Sequence, residues 1–136
     1  MPMITIHHTG KSDAALSRRL AEQVTDLTRI HLKKDPAVTA IAVIAVNPEH
    51  WFAGGRSLAG QKLATFWLDI KVTDATNTKG EMSSYIDAVF ATLSGTLGPT
   101  HSESYILIHE VPAAAYGFGG QTQEYRFISG QMQPSA

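Results

Sequence analysis

The feature that most constrains this chain is an internal repeat. Leu16, Leu20, Val24 and Leu27 fall at the spacing of one helical face, and Met82, Ile86, Phe90 and Leu93 repeat that face 66 positions on. The signal ahead of each helix repeats as well. Ser12 stands at the expected N-cap of the first helix and Thr78 at that of the second. Glu81 follows Thr78 at capping-box spacing, so the pair satisfies two orphan amide donors. Proline disfavours helix in its predecessor, so the first helix is predicted to stop before Pro36 and the second before Gly98-Pro99.

Beyond the helices the offset is 65. The apolar run Ala40–Val46 answers to Tyr105–Val111, and both read as strands, the first as one buried on both faces. Each is followed by an aromatic residue, Trp51 or Tyr116, and then by Gly54-Gly55 or Gly119-Gly120. The glycine pairs lack the pattern of a dinucleotide or phosphate loop and read as turns where backbone passes close to a neighbouring strand. Met3–Ile6 and Thr65–Val72 supply the opening strand of each copy. The order β-α-β, β-α-β belongs to an α+β fold: a four-stranded mixed sheet with two helices on one face. Right-handed crossovers place both helices on that face. The other face carries Trp67 and stays uncovered, which favours packing against other subunits. Two arrangements share this order, an interleaved ferredoxin-like sheet and two parallel pairs lying side by side, and periodicity does not separate them.

At 136 residues the chain is one domain, with repeat units of approximately 2–61 and 62–120 and a polar tail over 121–136 expected to be loose or to form an arm on a neighbour. Apolar residues make up 43% and charged residues 17%, a low charged share that again points to self-association. A net charge of −1 gives no basic surplus for phosphates, which argues against nucleic acid as a partner. The absence of cysteine excludes disulfides, thiolate metal sites and a cysteine nucleophile. The six histidines show no metal-ligand spacing. No run approaches a membrane span and no signal-peptide pattern opens the chain, so a cytoplasmic protein without membrane contact is expected.

Pro2 follows Met1 directly. Removal of the initiator methionine, efficient before a small residue, would expose a secondary amine on the end of a strand. The ordinary α-amino pKa is about 7.7–8.0, and an apolar pocket lowers it. A neutral amine near pH 7 serves as a general base or as a nucleophile toward a carbonyl.

With Pro2 in view, the chain resembles the tautomerase superfamily over most of its length. The opening Pro2-Met-Ile-Thr-Ile-His7, then Gly10-Lys11-Ser12-Asp13 leading into an amphipathic helix, is similar to oxalocrotonate tautomerase. The doubled length, the stretch Ala-Val-Ile-Ala-Val46 and the closure Ala53-Gly54-Gly55 are similar to macrophage migration inhibitory factor and the larger bacterial members. The ending from Glu110 through Tyr116-Gly117-Phe118-Gly119-Gly120 matches the family's close of its second unit.

The resemblance implies the side-by-side arrangement and a homotrimer. It also implies a cofactor-free and metal-free site in which Pro2 is the catalytic base, in a pocket at a subunit interface, acting on a small carboxylate or keto-acid substrate. Lys11 falls where small members carry an arginine that grips the substrate carboxylate; a lysine offers a point charge rather than a fork. Tyr105 aligns with a pocket tyrosine and would act as acid or stabiliser. Tyr116 and Phe118 take the place of aromatic pocket walls. Lys33 and Lys34 lie near a second basic pocket position, and they also suit a helix C-terminus electrostatically. His109 shares a strand face with Tyr105 and is a candidate for the pocket rim.

There are departures. No arginine lies between Arg56 and Arg126, Ala115 stands where dehalogenase members carry a glutamate, and Leu107 replaces an asparagine. Keto–enol tautomerisation of a small α-keto acid or dienol survives these losses best. A decarboxylase or a hydratase- or dehalogenase-like lyase of the same superfamily is the enzymatic alternative. A non-catalytic trimeric binding or signalling protein is the alternative from outside catalysis, and a ligand-sensing ferredoxin-like module is a third.

Overall fold

Alternation of apolar and polar residues builds β1 (Met3–His8), in which Ile4, Ile6 and His8 are buried and Thr5 and His7 face the other way. The chain then forms α1 (Ala14–Leu32), β2 (Ala40–Ala45), a short β3 (Phe52–Ala53) and β4 (Arg56–Ser57), and the single turn α2 (Leu58–Gln61). The second half gives β5 (Phe66–Thr73), α3 (Lys79–Leu97), β6 (Tyr105–Val111), the short β7 (Gly117–Phe118) and β8 (Gln121–Thr122), and α4 (Gln123–Met132). This is a computed structural model describing residues 1–132; the end of the expected tail, 133–136, lies outside the described residues.

The main sheet runs β2-β1-β5-β6. β1 pairs parallel with β2 and β5 parallel with β6, while β1 and β5 join the halves in antiparallel register, Ile4 opposite Ile70 and Ile6 opposite Leu68. Because each opening strand lies directly beside its own partner, the halves sit side by side and do not interleave. Both helices pack on one face. The sealed core joins Ile4, Ile6, Phe66, Leu68, Ile70 and Val72 of the sheet to Leu20, Val24 and Leu32 of α1 and Tyr85, Val89 and Leu93 of α3.

The helices correspond 65 positions apart, not 66. Leu20 answers to Tyr85, Val24 to Val89 and Thr28 to Leu93 on the buried faces, whereas Ile86 is 40% exposed. A slip of one residue turns a helix by only about 100°, and both stripes hold enough apolar residues to match at either offset. The same slip displaced one cap. Asp13, not Ser12, caps α1, its carboxylate accepting from the Leu16 amide at 2.7 Å. Thr78 and Glu81 form the expected capping box on α3. Both helices end where the prolines predicted, at Leu32 and Leu97.

β2 corrects a second expectation. It lies at a sheet edge with Ile41 and Val43 toward the core, while Ala40, Ala42 and Ile44 face outward with Met3, Trp67, Tyr105 and Leu107. A sheet with helices on one side buries only one face of each strand, however apolar the sequence.

The two glycine pairs make the turns of hairpins β3–β4 and β7–β8, with φ between +61° and +83° at all four positions. A Cβ would meet no backbone of a neighbouring strand there, so positive φ and not close approach is what requires glycine. Each hairpin leads into a helix capped in the same way. The Ser57 hydroxyl accepts from the Gly60 amide at 3.1 Å and the Thr122 hydroxyl from the Tyr125 amide at 2.9 Å. The correspondence therefore continues beyond Gly120. The expected loose tail contains a ten-residue helix where the first copy has four residues.

Candidate active site

Pro2 is buried immediately before β1, where the missing N–H takes no ladder bond from the strand. Its carbonyl accepts from the Ala40 amide at 3.2 Å, which ties it to the edge strand. Pro2 opens onto a cavity of roughly 240 Å³ whose walls include Val38, Tyr116, Phe118 and Gln123. A second cavity of roughly 480 Å³ adjoins it, lined by Thr73, Thr76, Ala113, Gln123, Arg126 and Phe127 among others. Met1 and Gln123 line both.

Three polar groups converge there. The Tyr116 phenol donates to the Met1 carbonyl. Burial pushes that phenol above its ordinary pKa, and a hydrogen bond with Thr73 opposes the shift. Lys34 Nζ donates to Thr76 Oγ1 at 2.8 Å, at the cavity wall. Desolvation lowers the Lys34 pKa, with Glu81 acting in the other direction. The Met1 amino group is itself held below its ordinary value, first by desolvation and then by the positive charge of Lys34. This end of the sheet disfavours a protonated amine. Lys33 does something different: it terminates α1 in the left-handed region and returns its Nζ to the Ile30 carbonyl at 2.6 Å.

The solved structure of an F6 fused 4-OT wild-type asymmetric trimer has the same chain path, with a TM-score of 0.78 at 14% identity over 91% of this chain and 98% of that one. Native fused 4-OT gives 0.75 at 20% identity over 90% and 97%. A macrophage migration inhibitory factor-like protein from Entamoeba histolytica gives 0.73 at 16% identity over 89% and 97%. No protein-family model and no curated protein sequence matches the chain. The fold is that of the tautomerase superfamily.

Within this tautomerase fold one chain brings together Pro2, Lys34, Tyr116 and Phe118, but not Tyr105 or Lys11. Lys11 lies past the far end of β1, whose six residues separate it from Pro2 by about 20 Å of strand. Tyr105 is on the outward face, 55% exposed, and its phenol donates to the Glu103 carboxylate, which raises its pKa. His109 shares that face and meets Asp69 at 3.0 Å. Among the described residues no group of three His, Asp or Glu side chains is placed to hold a metal ion, and no helix is long and apolar enough to cross a membrane.

Two lining residues of the tautomerase fold's Pro2 end escaped sequence reasoning, Gln123 and Arg126. Arg126 stacks its guanidinium 4.4 Å from the centre of the Phe118 ring. The signal for them was present: Thr122 stands 65 residues after Ser57, at the same capping position. The polar composition of the tail masked it.

Proposed function

We propose that this chain is a cofactor-free keto–enol tautomerase acting on a small 2-oxo acid or dienol, with Pro2 as general base once Met1 is removed. The observation that carries this function is the burial of Pro2 at a fixed strand end, opening onto a cavity with an aromatic wall, with Lys34 bonded to Thr76 in the wall of the adjoining cavity. A neutral Pro2 nitrogen takes the enol hydroxyl proton, and the electron pair moves through oxygen to form C=O. The neighbouring carbon then accepts the proton from the prolinium, which returns the base unchanged. Desolvation and Lys34 lower the pKa of the Met1 amine. The same surroundings acting on a freed Pro2 amine would favour its neutral form, which supports a base over the acid or iminium role of a decarboxylase or hydratase-like lyase. Tyr116 is a donor suited to the oxygen on which charge develops.

A homotrimer belongs to this proposal. Trimeric fused 4-OT structures share the fold, and the outward sheet face here carries Met3, Ile44, Trp67, Tyr105 and Leu107. Assembly through that face would let Tyr105 and Lys11 of neighbouring copies serve the Pro2 pocket. Cytoplasmic processing of Met1 goes with it.

The Met1 carbonyl on Tyr116 supports one other reading. A chain that keeps Met1 has an amide at Pro2, no base, and the character of a binding protein. Intact-mass measurement separates the two. In the processed protein, Pro2→Ala is expected to cut turnover of phenylpyruvate enol by about 10²–10⁴-fold. Unchanged turnover would refute the catalytic role.

A further inference from the structure

The two copies differ most where each hairpin enters its helix. In the first, Leu58 is fully buried and its amide donates to the Trp51 carbonyl at 2.9 Å. In the second, Gln123 occupies the corresponding place, its amide donating to the Tyr116 carbonyl at 2.9 Å. Gln123 is only 8% exposed, yet its side-chain Nε2 has no hydrogen-bond partner. An orphaned buried donor destabilises the fold, a cost that the first copy avoids with leucine. Gln123 spends that energy in the wall shared by the two cavities beside Pro2.

One helical turn on, the Gln61 amide of the first copy has both donors used, to the Ala53 and Arg56 carbonyls at 3.1 Å each. Arg126 stands at the equivalent position of the second copy. Its guanidinium lies over Phe118 with one Nη reaching Gln121 at 3.4 Å, and its Nε is buried without a partner. Glu124 is exposed on the same wall, so an arriving anion meets one acid there beside the cations Arg126 and Lys34. Two side chains of α4 that line the cavities at the Pro2 end thus each keep an unsatisfied buried donor, where the other copy has an apolar side chain or a glutamine whose amide donors are both used.

We propose that Arg126 and Gln123 form a carboxylate- and carbonyl-binding cap for a 2-oxo acid. The guanidinium, assisted by Lys34, takes the carboxylate, and the Gln123 amide donates to the adjacent oxygen. The cap rests on the tautomerase reading for its substrate class, but its residues are this chain's own, supplied by the lengthened α4. It accounts for a chain without arginine between Arg56 and Arg126 still holding an α-keto acid.

The experiment is calorimetric titration of the processed protein with phenylpyruvate and with phenylpyruvamide, its uncharged amide, using wild type, Arg126→Ala, Arg126→Lys, Gln123→Leu and Pro2→Ala. Arg126→Ala is expected to weaken phenylpyruvate at least about tenfold while leaving the amide's affinity little changed, with partial rescue by Arg126→Lys. Gln123→Leu copies the first repeat, so it is expected to match or raise thermal stability while weakening both ligands several-fold. A purely structural glutamine would not divide stability from binding in that way. Wild-type affinity in Arg126→Ala or in Gln123→Leu overturns that residue's part, and failure of the wild type to bind phenylpyruvate overturns the whole cap. Pro2→Ala is expected to bind normally and to lose turnover. Retained turnover in that variant refutes the catalytic reading while the binding results on the cap stand.

Discussion

The Tyr116 phenol donates its hydrogen bond to the carbonyl of Met1, so the hairpin that closes the second copy is tied to the residue that covers Pro2. Removal of Met1 takes away that acceptor and leaves the hydroxyl facing the cavity. Burial keeps the phenol protonated well above neutral pH, as a donor must be. Tyr116→Phe is therefore expected to lower kcat/KM about tenfold, the worth of one hydrogen bond to a developing charge. Steady-state kinetics on the processed protein would show it, and an unchanged kcat/KM would remove Tyr116 from the chemistry.

Lys34 sets the direction of the pH profile. Desolvation and then its positive charge lower the Met1 amine's pKa, and the same two causes are expected to act on the Pro2 amine once Met1 is gone. Activity is expected to rise with pH through that lowered value. Lys34→Gln removes a charge that repels the proton, so the midpoint of kcat/KM against pH should move upward, while Lys34→Arg should hold it near wild type. A downward shift in Lys34→Gln would contradict the electrostatic assignment.

The outward sheet face makes its own prediction. Trp67 and Leu107 are each about half exposed in the single chain. Trp67→Glu or Leu107→Glu would bury a charge in any assembly through that face and should abolish the proposed trimer in light scattering. Ile86→Glu, on the exposed side of α3, is the control expected to leave the assembly intact.

Stability should also depend on His8. Its Nδ1 accepts from the Gly10 amide at 3.0 Å, and its Nε2 is buried without a partner. Desolvation lowers its pKa in the folded chain, with Asp13 opposing. The unfolded chain binds a proton near the ordinary value of about 6.5, so below that pH it holds more protons than the folded one. Stability is then expected to fall as pH drops from 7.5 to about 5, with the slope reduced in His8→Asn. Equal slopes in thermal melts of the two proteins would place the dependence elsewhere.

The duplicated βαβ order, the helix ends and the turn glycines were legible because each follows from local chemistry: proline geometry, a capping box, positive φ. The choice between Ser12 and Asp13 as N-cap was not, since both residues cap well and the helical stripe tolerates a slip of one. The exposure of β2 was hidden because an apolar strand reads the same whether its second face meets a helix, a neighbour or water. Pro2 was singled out by its place after Met1, and Tyr116 and Phe118 by the family resemblance; the fold sets all three around one cavity. Gln123 and Arg126 were missed because a polar segment gives no hydrophobic period strong enough to announce a helix, and because a burial of one glutamine depends on what the rest of the chain places around it.

The register of the sheet has one arithmetical consequence. Met3 stands beside Ala40 as Trp67 stands beside Tyr105, so the counterpart of Pro2 in the second copy is Phe66. Phe66 is fully buried and lies in the middle of the chain, where no cleavage of a leading methionine can make a terminus. Under the proposed reading, one doubled chain offers a single proline terminus where two separate copies of the unit would offer two. An inactivator selective for the Pro2 amine over the lysines should saturate at one equivalent per chain, half the count that two separate copies of the unit would take up.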